Sequence, residues 1–349
     1  MPTPISELGE FGLIRHLTQG LAPTSKNTLL GVGDDAAVIR ATSRTDLLVT
    51  TDMLLEGVHF DLTYMPLAHL GYKAVAVNVS DICAMNGTAE QITIGIGLSA
   101  KFAVEQLDEL YKGIYAACNE FSVDLVGGDT CASLNGLSIS ITCLGRVPHA
   151  KALLRSGAKP NDLIYVTGNL GAAYMGFILL DRERKLFEKL QQDYYTPDLS
   201  EYTYIVERQL IPKPHTELRE LLSRLGVTPT AMIDISDGLS SELLHIATAS
   251  GVGLKVFESK IPIDLQTQRL CEEMHMSPLT AALNGGEDYE ILFTVPLAQQ
   301  ALLQNVPGIS LIGYVTDQPE ARLLETRDGQ TFPLTAQGWD AGRLLNSQE

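Results

Sequence analysis

The stretch Arg155-Ser-Gly-Ala-Lys-Pro-Asn-Asp162 decides how the chain is divided. Gly, Pro, Asn and Asp cluster in it, each favouring a turn for its own physical reason, and the apolar run 163–166 follows at once. With 349 residues, the chain is long enough for about two domains of ~150 residues, each able to bury its own core. We place the boundary near residue 150, giving domains 1–150 and 151–349.

Working outward, 36–39 and 47–51 read as short strands, while 91–98 and 137–147 alternate like half-buried strands. A helix is expected over 66–85, with Pro66 at its start and Gly87 just past its end, and another over 103–120. Val75, Val77 and Val79 sit in the first of these, against a slight intrinsic penalty, so packing has to override propensity there. Beyond the turn, strands at 162–167, 232–235, 254–257 and 289–295 interleave with helices at 172–180, 217–225 and 239–249. The fold class is therefore α/β (α+β): an N-terminal section with antiparallel-looking strands, then a C-terminal α/β layer domain.

Acids outnumber bases by 42 to 25, a formal net charge of −17, with 45% hydrophobic residues. Such a chain is expected to be soluble and globular. Its acidity argues against nucleic acid or an anionic membrane as partner, since both are bound through Lys and Arg. Residues 1–17 contain two Glu before the first Arg and no unbroken apolar run, so no secretory signal is expected, and no stretch reaches the ~18 apolar residues of a membrane span. Five scattered cysteines without a Cys-x-x-Cys pair suit neither a disulfide framework nor a zinc site, which makes a cytoplasmic setting the simplest expectation.

The acids recur in one kind of setting. Gly31-Val-Gly-Asp-Asp-Ala-Ala-Val38 delivers Asp34 and Asp35 to the mouth of a strand, and Val49-Thr-Thr-Asp52 ends a strand with two hydroxyls and a carboxylate. Asp81 lies eight residues after Lys73 on the expected helix, roughly on the same face. Gly127-Gly-Asp-Thr130, Asp234-Ile-Ser-Asp-Gly238 and Gly285-Gly-Glu-Asp-Tyr289 complete the series. Taken singly these are ordinary turn chemistry, and Asp234 or Ser236 could cap the following helix. Their recurrence at strand ends points instead to an oxygen-only site for a hard cation such as Mg²⁺, which shares carboxylates with substrate phosphates. The strand, glycine loop and helix of Tyr165-Val-Thr-Gly-Asn-Leu-Gly-Ala-Ala173 could cradle a phosphate or could simply allow close packing. Neither the P-loop nor the protein-kinase motif set is present, so any phosphoryl chemistry uses another scaffold.

In order, Gly33-Asp-Asp, Thr51-Asp52, Gly57-Val-His-Phe60, Gly71-Tyr-Lys-Ala74, Asn78-Val-Ser-Asp81, Gly127-Gly-Asp-Thr130, Arg155-Ser-Gly-Ala-Lys-Pro160, Asp234-Ile-Ser-Asp-Gly-Leu239 and Gly285-Gly-Glu-Asp-Tyr-Glu290 resemble the thiamine-monophosphate kinase family, over nearly the whole chain. The resemblance implies a two-domain aminoimidazole ribonucleotide synthetase-like fold, a homodimer whose N-terminal sheets join into a barrel, and ATP-dependent phosphorylation of thiamine monophosphate to thiamine diphosphate assisted by several Mg²⁺ ions. It implies Asp35, Thr50, Thr51, Asp52, Asp81, Asp129, Asp234 and Asp237 as Mg²⁺ ligands. Gly128, Asp129, Arg155 and Ser236 correspond to ATP-contacting positions, and His59, Glu287 and Trp339 to positions around the thiamine moiety. The attacking group is already an anionic phosphate oxygen, so no general base is named. Two alternatives are another ATP-dependent enzyme of this fold acting on an amide or acyl substrate, and a non-catalytic nucleotide-binding regulator.

Overall fold

The alternation of apolar residues along 91–98 and 137–147 builds the middle of a six-stranded sheet. In this computed structural model, which describes residues 5–19, 24–190 and 195–336, with side chains from residue 12 onward, the sheet runs β1 (Thr28–Leu30), β2 (Ala37–Arg40), β3 (Thr45–Leu55), β6 (Ser138–Pro148), β4 (Thr88–Leu98), β5 (Asp124–Ala132). Its pairs are antiparallel except β4 with β5. Helix α1 (Ile5–Thr18) precedes it, and α2 (Leu67–Ala84) and α3 (Val104–Phe121) pack together beside it. Leu48, Ile92, Ile141 and Cys143 from the strands share a core with Leu70, Val79 and Ile82 of α2 and Leu110 and Ile114 of α3.

Burial explains the valines of α2. Fourteen of its 18 residues are buried, Val75, Val77 and Val79 among them, so the area removed from water outweighs a propensity cost of a few tenths of a kcal/mol each, about 1.5–3 kcal/mol per side chain against roughly 0.5.

The second sheet is seven-stranded, in the order β13 (Thr331–Pro333), β12 (Arg322–Glu325), β9 (Gly253–Phe257), β11 (Ile309–Thr316), β7 (Leu163–Thr167), β10 (Ile291–Val295), β8 (Ala231–Asp234). Only β9 and β12 pair in parallel. Helices α4 (Ala172–Leu190), α5 (Thr203–Leu210), α6 (Leu218–Leu225), α7 (Leu239–Ser250), α8 (Leu265–Glu273), α9 (Pro278–Asn284) and the short α10 (Gln300–Leu303) surround it. Of these, α5, α8, α9 and α10, and strands β11 to β13, go beyond the sequence reading.

The first sheet is open within the chain: β5 is an edge strand with eight of its nine residues exposed, so closing a barrel would take the sheet of a second copy. One expectation needs correction. Gly127-Gly128-Asp129, expected as turn chemistry at the end of a strand, lies inside β5. A bulge at Val126 shifts the register, with Leu125 opposite Ile92 and Gly127 opposite Thr93. A Cβ at Gly128 would stand 2.1 Å from the Ile94 carbonyl oxygen, so glycine is needed for strand contact rather than for a turn. Among the described residues, no helix is long and apolar enough to cross a membrane.

Candidate active site

Three chain segments deliver one carboxylate each to the junction of the two sheets. Gly33, at φ 129°, turns the chain so that Asp35 stands just before β2. Asp81 projects from the last turn of α2, and Asp234 ends β8. One oxygen of each lies within 4.8 Å of the others. Thr50 Oγ1 donates to Asp81 Oδ2 at 2.5 Å and Ser80 Oγ to Asp234 Oδ2 at 2.5 Å. Burial pushes the Asp35 and Asp81 carboxyls well above the usual range and raises Asp234, with neighbouring carboxylates adding to the shift at Asp35 and Asp81. Asp52 is pushed up to about 6 by burial, then by the charge of Asp234.

This donor set fits a hard cation: it is oxygen-only, and Asp35 Oδ2 is buried without a hydrogen-bond partner. Asp35 also accepts from Arg155, at 3.0 Å from Nε and 2.5 Å from Nη2, and Asp34 accepts from the Arg155 backbone N–H at 3.1 Å. Arg155 therefore enters the site already paired.

The cluster faces a cavity of about 700 Å³. Its lining also includes His59, Tyr64, Tyr174, Phe177, Gln209 and Glu287. Lys73, 2% exposed, bonds Glu287 Oε1 at 3.1 Å, and Gln209 Nε2 donates to Glu287 Oε2 at 3.0 Å. Glu287 and Tyr289 hold left-handed backbone (φ 57° and 51°), fixed by Glu287 N–H to Ser236 O and Tyr289 N–H to Ile235 O at 2.6 and 2.9 Å. His59 accepts the Leu55 N–H at Nδ1, and burial lowers its pKa.

Asp35, Thr50, Thr51, Asp52, Asp81, Asp234, Asp237, Arg155, Ser236, His59 and Glu287 thus line one cavity. Gly128 and Asp129 do not line it, because β5 carries them on the exposed sheet edge. Trp339 lies outside the described residues. Helix α7 has Gly238 at its N-cap and no side-chain cap, so neither Asp234 nor Ser236 serves as one. The glycine loop 168–171 is no open phosphate cradle: Asp288 accepts from Gly171 N–H at 2.6 Å and from Ala173 N–H at 3.3 Å, putting the protein's own carboxylate at the start of α4. Glu242, whose Oε1 accepts the Asp237 N–H at 3.1 Å, joins the lining beyond the residues expected from the sequence, as do Gln209, Tyr174 and Phe177. A Glu five residues after Asp237 was a usable signal; for the other three the sequence offers none.

The two α/β halves match the two domains of the AIR synthase related proteins. The N-terminal domain of that family matches residues 33–147 and its C-terminal domain residues 159–324. The thiamine-monophosphate kinase of Bacillus subtilis (strain 168) is 32% identical over 340 residues, covering 95% of this chain and 99% of the relative. That of Escherichia coli (strain K12) is 34% identical, covering 95% and 98%. The solved structure of AaThiL complexed with AMPPCP and TMP superposes with a TM-score of 0.81 at 31% identity, covering 98% of this chain and 99% of that one. The chain belongs to the thiamine-monophosphate kinase family and is a kinase.

Proposed function

We propose that this protein transfers the γ-phosphoryl group of ATP in line to the phosphate of thiamine monophosphate, giving thiamine diphosphate, with several Mg²⁺ ions bound. The observation that carries this reading is the convergence of Asp35, Asp81 and Asp234, the first and last of them buried, from three segments onto one cavity. Relatives of that name, and a similar structure holding AMPPCP, an ATP analogue, together with TMP, support it.

Two phosphates must approach each other although both are anionic, and that repulsion is the chief barrier. Mg²⁺ held by Asp35, Asp52, Asp81, Asp234 and Asp237, with Thr50 and Thr51 beside them, would neutralise phosphate charge. Arg155 brings a fixed cation to the same end, and Ser236 borders it. Glu287 and His59 line the same cavity, and the organic part of the acceptor would sit against them. The chain's work is positioning and electrostatics, with no general base.

We place the domain division near residue 150. We also propose a homodimer through the exposed β5 edge, which a paired second copy would cover and which carries Gly128 and Asp129. A monomer in sedimentation at micromolar concentration would remove the dimer.

Incubating the purified protein with MgATP and thiamine monophosphate should yield thiamine diphosphate and ADP. Absence of that product, with ATP consumed on an amide or acyl acceptor instead, would move the protein to another branch of the fold. ATP binding without turnover on any acceptor would make it a regulator.

A further inference from the structure

Outside the proposed metal ligands, two side chains of the cavity lining, Gln209 and Glu242, each carry a buried oxygen with no hydrogen-bond partner, and only that of Gln209 is a neutral carbonyl. Gln209, in the last turn of α5, is buried and lines the cavity. Its Nε2 is committed to Glu287, while its Oε1 is buried with no hydrogen-bond partner. The amide orientation follows from chemistry: turned over, its carbonyl would face the Glu287 carboxylate, acceptor against acceptor. An orphaned buried carbonyl is unfavourable unless something else fills its valence.

The surroundings hold Gln209 in place. Lys73 Nζ donates to the Gln209 backbone oxygen at 3.1 Å and pairs with Glu287 at 3.1 Å, so one buried ammonium fixes both residues. Gly176 of α4 lets α5 approach: a Cβ there would stand 2.8 Å from Gln209 Cβ and 2.5 Å from the Ile205 carbonyl oxygen. The same stretch of α4 sends Tyr174 and Phe177 to the cavity wall. A carbonyl and a carboxylate side by side, near two aromatic rings, ask for a flat ligand that donates hydrogen bonds.

We propose that Gln209 is a specificity-determining residue, whose Oε1 accepts a hydrogen bond from an amino group on the heteroaromatic ring of the phosphoryl acceptor. This rests on the proposed function, since thiamine carries such an amino group on its pyrimidine. The probe is oxythiamine monophosphate, in which an oxo group replaces that amine and presents an acceptor to Gln209.

For the wild-type protein, kcat/KM on oxythiamine monophosphate should fall about tenfold to a hundredfold below that on thiamine monophosphate. Gln209→Met, close in size but without the carbonyl, should bring the two substrates to within about threefold by lowering activity on the amine. Gln209→Asn draws the carbonyl back by one methylene and should narrow the ratio likewise; it serves if the Met variant does not fold. Using the ratio cancels any general loss from freeing Glu287. An undiscriminating wild type, or a ratio unchanged in a folded variant, would overturn the proposal. Calorimetric binding of both compounds without ATP separates it from the kinase reading: discrimination in binding that vanishes in the variants supports Gln209 even where turnover fails, and its absence sinks Gln209 even where turnover succeeds.

Discussion

Asp288 and Glu290 stand two residues apart, are both buried, and shift in opposite directions. Their partners decide between them: His215 and Thr167 bond Glu290 alone, and Arg208 Nη2 is 2.8 Å from Glu290 Oε1 but 3.8 Å from Asp288 Oδ1. Burial raises the Glu290 carboxyl, but bonds from His215, Arg208 and Thr167 outweigh it and leave the group below its ordinary value. Asp288 has only two backbone N–H groups and a more distant cation, so burial wins and its pKa is pushed up to about 6. Folded Asp288 therefore binds its proton more tightly than the unfolded chain does. Stability from this group is full below about pH 4 and is lost as pH rises to about 6, a fall of about 2–3 kcal/mol. Asp288→Asn removes that fall, so the stability of the variant minus that of wild type should rise by about this amount between pH 4 and pH 7.5 in denaturant unfolding. A difference independent of pH would refute the account. The same residue marks a limit of sequence reading: the loop 168–171 has the composition of a phosphate cradle, and its occupant comes from 117 positions away.

Helix α2 carries Lys73, Asn78, Ser80 and Asp81 to the site, so its seating sets their positions. That seating depends on contact between backbones. A Cβ at Gly113 of α3 would lie 1.7 Å from the Ala68 carbonyl oxygen, and one at Gly71 would lie 2.1 Å from that of Leu110. Gly113→Ala must push the helices apart, costing about 1–3 kcal/mol or more by overpacking. The expected result is that loss in denaturant unfolding together with lower kcat/KM, although residue 113 is on a helix that supplies no residue to the cavity. Gly31→Ala is the control, since nothing stands within 4 Å of its added Cβ and its φ is not positive, and stability should stay within about 0.5 kcal/mol. Equal behaviour of the two variants would refute the contact argument. Elements with strong internal signals were legible: α2 from its continuous apolar run between Pro66 and Gly87, β4 and β6 from alternation. Strand β5 was not, because it carries two glycines and an Asp, residues poor in strands, and takes its form from pairing with β4.

The two halves of the molecule meet at the carboxylate cluster. Ser80 of α2 bonds Asp234 of β8 across the junction, and Lys73 reaches Glu287, yet Asp35 and Asp81 from one side face Asp234 from the other. The acids that converge were each visible in the sequence as strand-end or helix motifs; which of them share a site follows from how the two sheets pack, and no local pattern carries that. Such a cluster is a standing cost in the metal-free protein and a stabilising element once a cation is bound. Replacing one of its charges should therefore have opposite effects in the two states. Asp81→Asn keeps an acceptor for the Thr50 hydroxyl and removes the ionisable carboxyl that burial and its neighbouring carboxylates disfavour. Without divalent cation at pH 8, the variant should melt a few degrees above wild type, as about 1 kcal/mol moves Tm by roughly 2–4 °C in a chain of 150–250 residues and by no more in a larger one. With Mg²⁺ added, wild type should gain about 2.7 kcal/mol at a hundredfold excess over Kd, while the variant gains much less and loses most activity. Melting curves with and without Mg²⁺ read both effects. If metal-free Asp81→Asn is less stable than wild type and Mg²⁺ raises both melting points equally, the cluster is structural and the proposed metal site falls.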